Sequence, residues 1–192
     1  MLDRTLRAAG TIVPTRSTEW PTVILALVIH GGFLALTWWC QSLPPLVVMI
    51  AGGWLIAWHG SLQHEVIHGH PTGNQAINDA IGSIPLSLWL PYPIYRESHL
   101  EHHRDEYLTD PIEDPESSYF TKATWDQLGA TGRLLARGNT TLFGRLTIGP
   151  AVMLLSFLGQ EGQLVRANEP GRRRIWGVHG IGVAAVLFWA TV

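Results

Sequence analysis

The stretch SLQHEVIHGHP, residues 61–71, decides how this chain is read. Taken alone, His64-Glu65-Val66-Ile67-His68 is the H-E-x-x-H of a zinc peptidase: two imidazoles on one helix face and a glutamate as general base. Its second reading is half of a histidine-built iron site at the end of a membrane helix. What surrounds the stretch chooses between them.

Upstream, the chain is apolar and carries no Lys or Arg from Ser17 to Tyr95. The run from Pro21 to Cys40, at about 1.5 Å per helical residue, reaches across a hydrocarbon core of ~30 Å. The turn QSLPP follows at 41–45, and a second apolar run leads straight into the quoted motif. These segments predict a transmembrane hairpin with helices over about 21–40 and 45–63. Arg4, Arg7 and Arg16 precede the first helix and mark its start as cytoplasmic. The chain goes out and returns, so His64 and His68 are expected at the cytoplasmic face. The first twenty residues are too polar, and the apolar run too late and too long, for a cleaved signal peptide.

Composition agrees. Only 15% of residues are charged, against about 25% in soluble domains. Nine tryptophans fit a protein with interfacial anchors. A net charge of −2 gives no reason to expect nucleic acid. Cys40 is the single cysteine, which excludes an internal disulfide and a thiolate cluster. Lys122 is the only lysine among 13 basic residues, as GC-rich bacterial coding would favour, so the membrane expected is a bacterial inner membrane.

Downstream, residues 76–92 are apolar but broken by Gly82, Pro85 and Pro91, and read as a re-entrant or interfacial segment. Residues 104–140 read as a polar cytoplasmic loop or cap. The run 142–158 contains Arg145 and Pro150 and reads as an interfacial helix. Arg172, Arg173 and Arg174 act as a topology signal that meets anionic headgroups or steers an acidic substrate or carrier. Residues 175–192 predict a third crossing helix. The fold class expected is all-α: one integral membrane domain over 1–192, with a transmembrane hairpin, re-entrant or interfacial helices and a cytoplasmic histidine-bearing cap.

Seven of nine histidines fall between His59 and His103. His64 and His68 are i and i+4; His99 shares a helix face with His102 and His103 at i+3 and i+4. Two such helices side by side aim five imidazoles at one point. The peptidase reading fails on context. A metzincin would have glycine where Pro71 stands and histidine where Asn74 stands. An intramembrane protease needs a distant acidic ligand, and Asp79 is the nearest. Neither explains His99, His102 and His103. Zinc is satisfied by three or four ligands, whereas five imidazoles suit two metals, and iron beside lipid suits O₂ chemistry. Among single histidines, His30 reads as a hydrogen-bonded helix residue and His179 as an interfacial one. His59 and His70 flank the first pair, the latter in a turn. Glu65, Glu101, Asp105 and Asp110 are the carboxylates expected to accept the second ring proton of a ligating histidine.

On these residues the chain resembles the membrane fatty acid desaturase/hydroxylase superfamily. The resemblance rests on HEVIH (64–68), HLEHH (99–103), the HGHPTGN continuation (68–74) and DPIEDPES (110–117), the last read here as a turn-rich cap over the site. It implies four transmembrane helices and a cytoplasmic centre of two iron ions held by His64, His68, His99, His102 and His103. It implies O₂-dependent oxidation of an unactivated C–H bond, on the desaturase pattern in a fatty acyl chain. Carotenoid ketolases and hydroxylases of the same superfamily give the alternative substrate class, and an inactive membrane protein with remnant boxes the alternative outside catalysis. Electrons are expected from a partner such as a ferredoxin or a cytochrome b5-like protein, since the chain has no Gly-rich nucleotide loop. A third box, H-x-x-H-H, is expected after a fourth helix beyond residue 192, which makes these residues an incomplete enzyme.

Overall fold

The structure is a computed structural model that describes residues 17–191 except 105–108, 115 and 118. Arg4, Arg7, Arg16 and Asp105 lie outside the described residues. The described residues are helical and contain no strand. Eight α-helices run in order: α1 Trp20–Trp38, α2 Pro45–Ile67, α3 Gln75–Gly82, α4 Tyr92–His102, α5 Lys122–Gln127, α6 Ala130–Gly138, α7 Leu142–Arg166 and α8 Arg172–Thr191. The chain divides into two units, Met1–Leu100 with Ile175–Val192, and Glu101–Arg174.

The first unit is built on the hairpin of α1 and α2. Pro21 sits in the first turn of α1 and Pro45 opens α2, positions where the missing N–H has no intrahelical partner to lose. A 3-10 turn, Cys40–Ser42, joins the helices. Their antiparallel register is read from Leu36 against Gly52 and Leu55 against Gly32, where a Cβ on either glycine would meet leucine methyls at 3.6 and 3.3 Å. Small residues at these levels let two membrane helices approach. Most of the hairpin surface stays apolar and open, including Ile24, Leu27, Leu34, Met49, Ile50 and Trp54. So much exposed apolar surface is bilayer-facing rather than water-facing.

The compact core gathers at the histidine end of α2. Leu62, Val66 and Ile67 are fully buried there, with Leu86 and Tyr92 packed beside them. Asn74 caps α3 by accepting from the Ala76 N–H at 2.9 Å. Gly82 ends α3 at a close approach: a Cβ there would fall 2.6 Å from the Tyr92 ring and 2.7 Å from a Val66 methyl. The segment expected over 76–92 is thus the short helix α3 and an irregular return to Pro91, broken where Pro85 denies the next turn its N–H.

Helix α8 packs in the same unit and runs parallel to α1. Trp189, near its C-terminus, stacks on Trp38 with ring centroids 5.7 Å apart and donates to Thr37 Oγ1 at 2.9 Å. Near its N-terminus, His179 Nε2–H donates to the Leu88 carbonyl at 3.0 Å and Gly182 faces Pro85.

In the second unit, the polar stretch expected as loop contains α5 and α6. Thr121 caps α5 and Arg133 donates to the carbonyls of Trp125 and Asp126. Helix α7 exceeds the expected 142–158, runs on to Arg166 and continues through Pro150. Two of the three consecutive arginines hold its end: Arg172 lies 3.6 Å from Glu161 and Arg173 Nε donates to the Val165 carbonyl at 3.4 Å. Cations suit the negative end of a helix dipole. In all, α1, α2, α7 and α8 are long and apolar enough to cross a membrane.

Candidate metal centre

The site is assembled by three helices of one polar clamp. Asp79 on α3 is its hub. Its Oδ1 accepts from Gln75 Nε2 at 2.8 Å and from the Tyr92 hydroxyl at 2.7 Å, and Arg96 Nε lies 3.5 Å away. Gln75 Nε2 also donates to the Val66 carbonyl of α2 at 3.0 Å, and Gln63 Nε2 on α2 donates to the Gly82 carbonyl of α3 at 2.8 Å. Helices α2, α3 and α4 are therefore tied at both ends of α3. Burial pushes the Tyr92 hydroxyl pKa well up and its bond to the Asp79 carboxylate adds to this, so the phenol stays a donor. Asp79, considered above as a protease ligand, is thus engaged in holding helices together.

This clamp brings the two histidine stretches to one place. His64 lies in the last turn of α2 and His68 caps it; His99 lies on α4 and is buried. The ring centroids of these three residues form a triangle with sides of 4.7, 4.6 and 5.1 Å. His68 Nε2 and His99 Nε2 stand 3.0 Å apart although 31 residues separate them in sequence. The backbone runs on without a break from His99 through the end of α4 to His103, one helical turn later. His64, His68, His99 and His103 each offer one ligand atom, and all four atoms lie within 4.8 Å of one another.

His102 is not in that group, so the five-way convergence on one point expected from spacing holds for four. Helical spacing does not separate His102 from His103, since i+3 and i+4 from His99 share a face; the contact His102 makes does. Its Nδ1 is 2.8 Å from Asp114 Oδ1 instead. Asp114 was not among the carboxylates chosen from sequence, and its side chain is buried. Desolvation raises its pKa, but bonds from His102 and the N–H groups of Thr109 and Glu116 outweigh that and hold it below the usual carboxylate range.

Of the described carboxylates chosen from sequence, Glu65 stands where expected, beside a histidine of the group, and Glu101 and Asp110 do other things. Glu65 Oε1 lies 3.2 Å from Nδ1 of its neighbour His64. Glu101 pairs with Arg104. Asp110 accepts the N–H groups of Ile112 and Glu113 and closes a turn. His70 Nδ1 meets the Glu19 carboxylate at 2.8 Å, and the Glu19 N–H donates to the Pro71 carbonyl at 2.8 Å, so the turn after the first pair is laced to the start of α1. His59 is buried edge-on against His30, with centroids 5.5 Å apart, and stands outside the group of four. His30 Nδ1–H donates to the Ala26 carbonyl at 2.8 Å, and His179 bonds Leu88, as single histidines in helices ordinarily do.

Four imidazoles with two of them from each of two stretches form a nitrogen donor set suited to a borderline transition-metal ion. Compared with known families, residues 37–192 match the family described as fatty acid desaturase. No curated protein and no solved structure matches the chain.

Proposed function

This chain belongs to the fatty acid desaturase family, and we propose that it is a membrane oxidoreductase that oxidises a fatty acyl chain with O₂ at two iron ions. The observation that carries this reading is the 3.0 Å approach of His68 Nε2 to His99 Nε2 within a four-histidine group. The donor chemistry fits iron: nitrogen ligands, no thiolate, and no carboxylate in the group. His64, His68, His99 and His103 would hold one ion, and His102 would contribute to the second. Bound iron supplies the O₂-dependent cleavage of an unactivated C–H bond, chemistry that side chains cannot perform. The chain's own residues fix the ligands and keep water out. Burial of His99 and the Asp79 clamp hold the second stretch against the first, while the apolar faces of α1, α2 and α8 give an acyl chain an approach from lipid. Electrons come from a ferredoxin or a cytochrome b5-like partner.

The test is the chain expressed with iron in cells whose lipids and pigments are profiled. New double bonds in acyl chains that vanish in His68→Ala support the reading. Oxygenated terpenoid in place of unsaturated acyl product would move the substrate to the alternative class. Purified chain that holds no iron would end the iron reading.

Contacts within the first unit support a membrane orientation. Glu19 at the start of α1, His70 beyond the end of α2 and the start of α8 share one end of the helix set. In the proposed orientation this end is cytoplasmic, in a bacterial inner membrane, which puts Arg172, Arg173 and Arg174 on the side that favours positive charge. The chain leaves that end after His99 and returns to it at α8. A segment with both ends on one side crosses an even number of times, and α7 is the only described helix between them with the length to cross. This parity supports reading α7 as an interfacial helix despite its apolar run. A topology reporter inserted after Asn168 is expected to read the same side as one inserted after Gly73. Opposite sides would show that α7 crosses.

A further inference from the structure

We infer that Asp114 is a positioning residue that fixes the tautomer of His102 and so selects Nε2 as its metal-binding nitrogen. The inference rests on the iron reading for His102 and adds to it a residue with no metal contact of its own. Three bonds converge on this one buried carboxylate. Oδ1 takes His102 Nδ1 at 2.8 Å and the Glu116 N–H at 2.9 Å; Oδ2 takes the Thr109 N–H at 2.7 Å. Two backbone donors immobilise the group before His102 is counted, so its position is set by the N–H groups of Thr109 and Glu116 rather than by the imidazole. An ionised carboxylate only accepts. The nitrogen facing it must therefore carry the proton, which makes Nδ1 the N–H and puts the lone pair on Nε2. Neutral histidine has two tautomers, and only the one with its lone pair toward an ion can bind it. Ligating histidines elsewhere give their second N–H to a carboxylate in this way, and loss of that partner weakens metal affinity by roughly 10–100-fold.

The same geometry explains why this residue, and not Asp110, takes the role. Asp110 spends its Oδ1 on the N–H groups of Ile112 and Glu113, in its own turn. That turn carries Asp114 back under His102, 12 residues earlier in the chain. DPIEDPES is thereby given a chemical purpose beyond capping.

The experiment reads the tautomer directly, without metal. Chain labelled with ¹⁵N-histidine is purified in detergent, metal-free, and its imidazole nitrogens are assigned against His102→Gln. His102 is expected as the Nδ1–H tautomer in the unsubstituted chain. In Asp114→Ala that preference is lost while the signals of His30 and His179, which bond the Ala26 and Leu88 carbonyls, stay unchanged and report an intact fold. Asp114→Glu, which keeps the acceptor, is expected to restore part of it. A separate titration with ferrous ion should show roughly 10–100-fold weaker binding of one of two ions in Asp114→Ala. An Nε2–H tautomer in the unsubstituted chain, or an unchanged tautomer in a folded Asp114→Ala, overturns the inference. Failure of the unsubstituted chain to bind ferrous ion, with His102 in the Nδ1–H form, instead overturns the iron reading and leaves the tautomer assignment standing.

Discussion

Replacing His99 with alanine is expected to strip the four-histidine group of its metal and to lower affinity there by more than ~100-fold, beyond the loss that follows removal of a ligand's outer partner. His99 is the buried member, and its Nε2 faces His68 Nε2 across 3.0 Å. Two helices meet at this residue, so no neighbour on α2 can substitute for it. Emptying a buried site also costs stability, by about 1–3 kcal/mol for lost packing. His99→Gln, which fills more of the space without an imidazole, separates the two effects: it should recover stability and leave metal binding lost. His179→Ala is the matched control, because that imidazole bonds the Leu88 carbonyl and should leave metal content unchanged. Metal analysis of the purified variants reads all three. Full metal content in His99→Ala would refute the role given to this residue.

The second large effect is expected at Asp79, which no distance to a metal would single out. Asp79→Ala removes the acceptor of the Tyr92 hydroxyl and the charge beside Arg96. Tyr92 is buried, so its hydroxyl loses a partner with little access to water. A hydrogen bond to a charged group is worth about 1.5–3 kcal/mol, and a loss of that size should lower the midpoint of thermal unfolding. The positional consequence matters more. Helix α4 would be free to shift relative to α2, and the His68 and His99 nitrogens would no longer be held together. Several-fold weaker metal binding should therefore accompany the lost stability, although Asp79 belongs to neither histidine stretch. Asp79→Asn keeps an oxygen for Tyr92 and should lose less of both. Asp79→Ala that melts and binds metal like the unsubstituted chain would show that α3 does not clamp the site.

How much of this was legible beforehand differs by element. Hydrophobic length alone marks the hairpin, and its observed helices, Trp20–Trp38 and Pro45–Ile67, lie close to the expected 21–40 and 45–63. The pairing of His64 with His68, and of His99 with His103, follows from helical spacing. Their meeting does not: it depends on Gly82 permitting a close approach and on Gln63, Gln75 and Asp79 linking three helices. Such polar contacts lie far apart in sequence and leave no periodic trace. His102 shows the same limit. Its i+3 spacing from His99 suits a shared face as well as His103 does, and only the turn that brings Asp114 beneath it separates their roles. Asp110 and Asp114 stand in similar Asp-Pro steps, so composition could not say which is buried. Helices α5 and α6 were missed because their polar, short sequences carry turn residues, and tertiary hydrogen bonds from Arg133 complete them. Pro150 and Arg145 suggested an interfacial helix over 142–158; the helix passes through both and runs on to Arg166, long and apolar enough to cross. A proline costs one backbone bond at that point, and the remaining turns are enough to carry the helix on.

The central claim is that imidazoles from two separate stretches of chain clasp shared iron. Iron-edge x-ray absorption on the purified, iron-loaded chain addresses it most directly. The account predicts a nitrogen-rich shell with strong imidazole scattering that falls in both His68→Ala and His99→Ala and is unchanged in His179→Ala. An oxygen-dominated shell, or imidazole scattering indifferent to the first two substitutions, would contradict it.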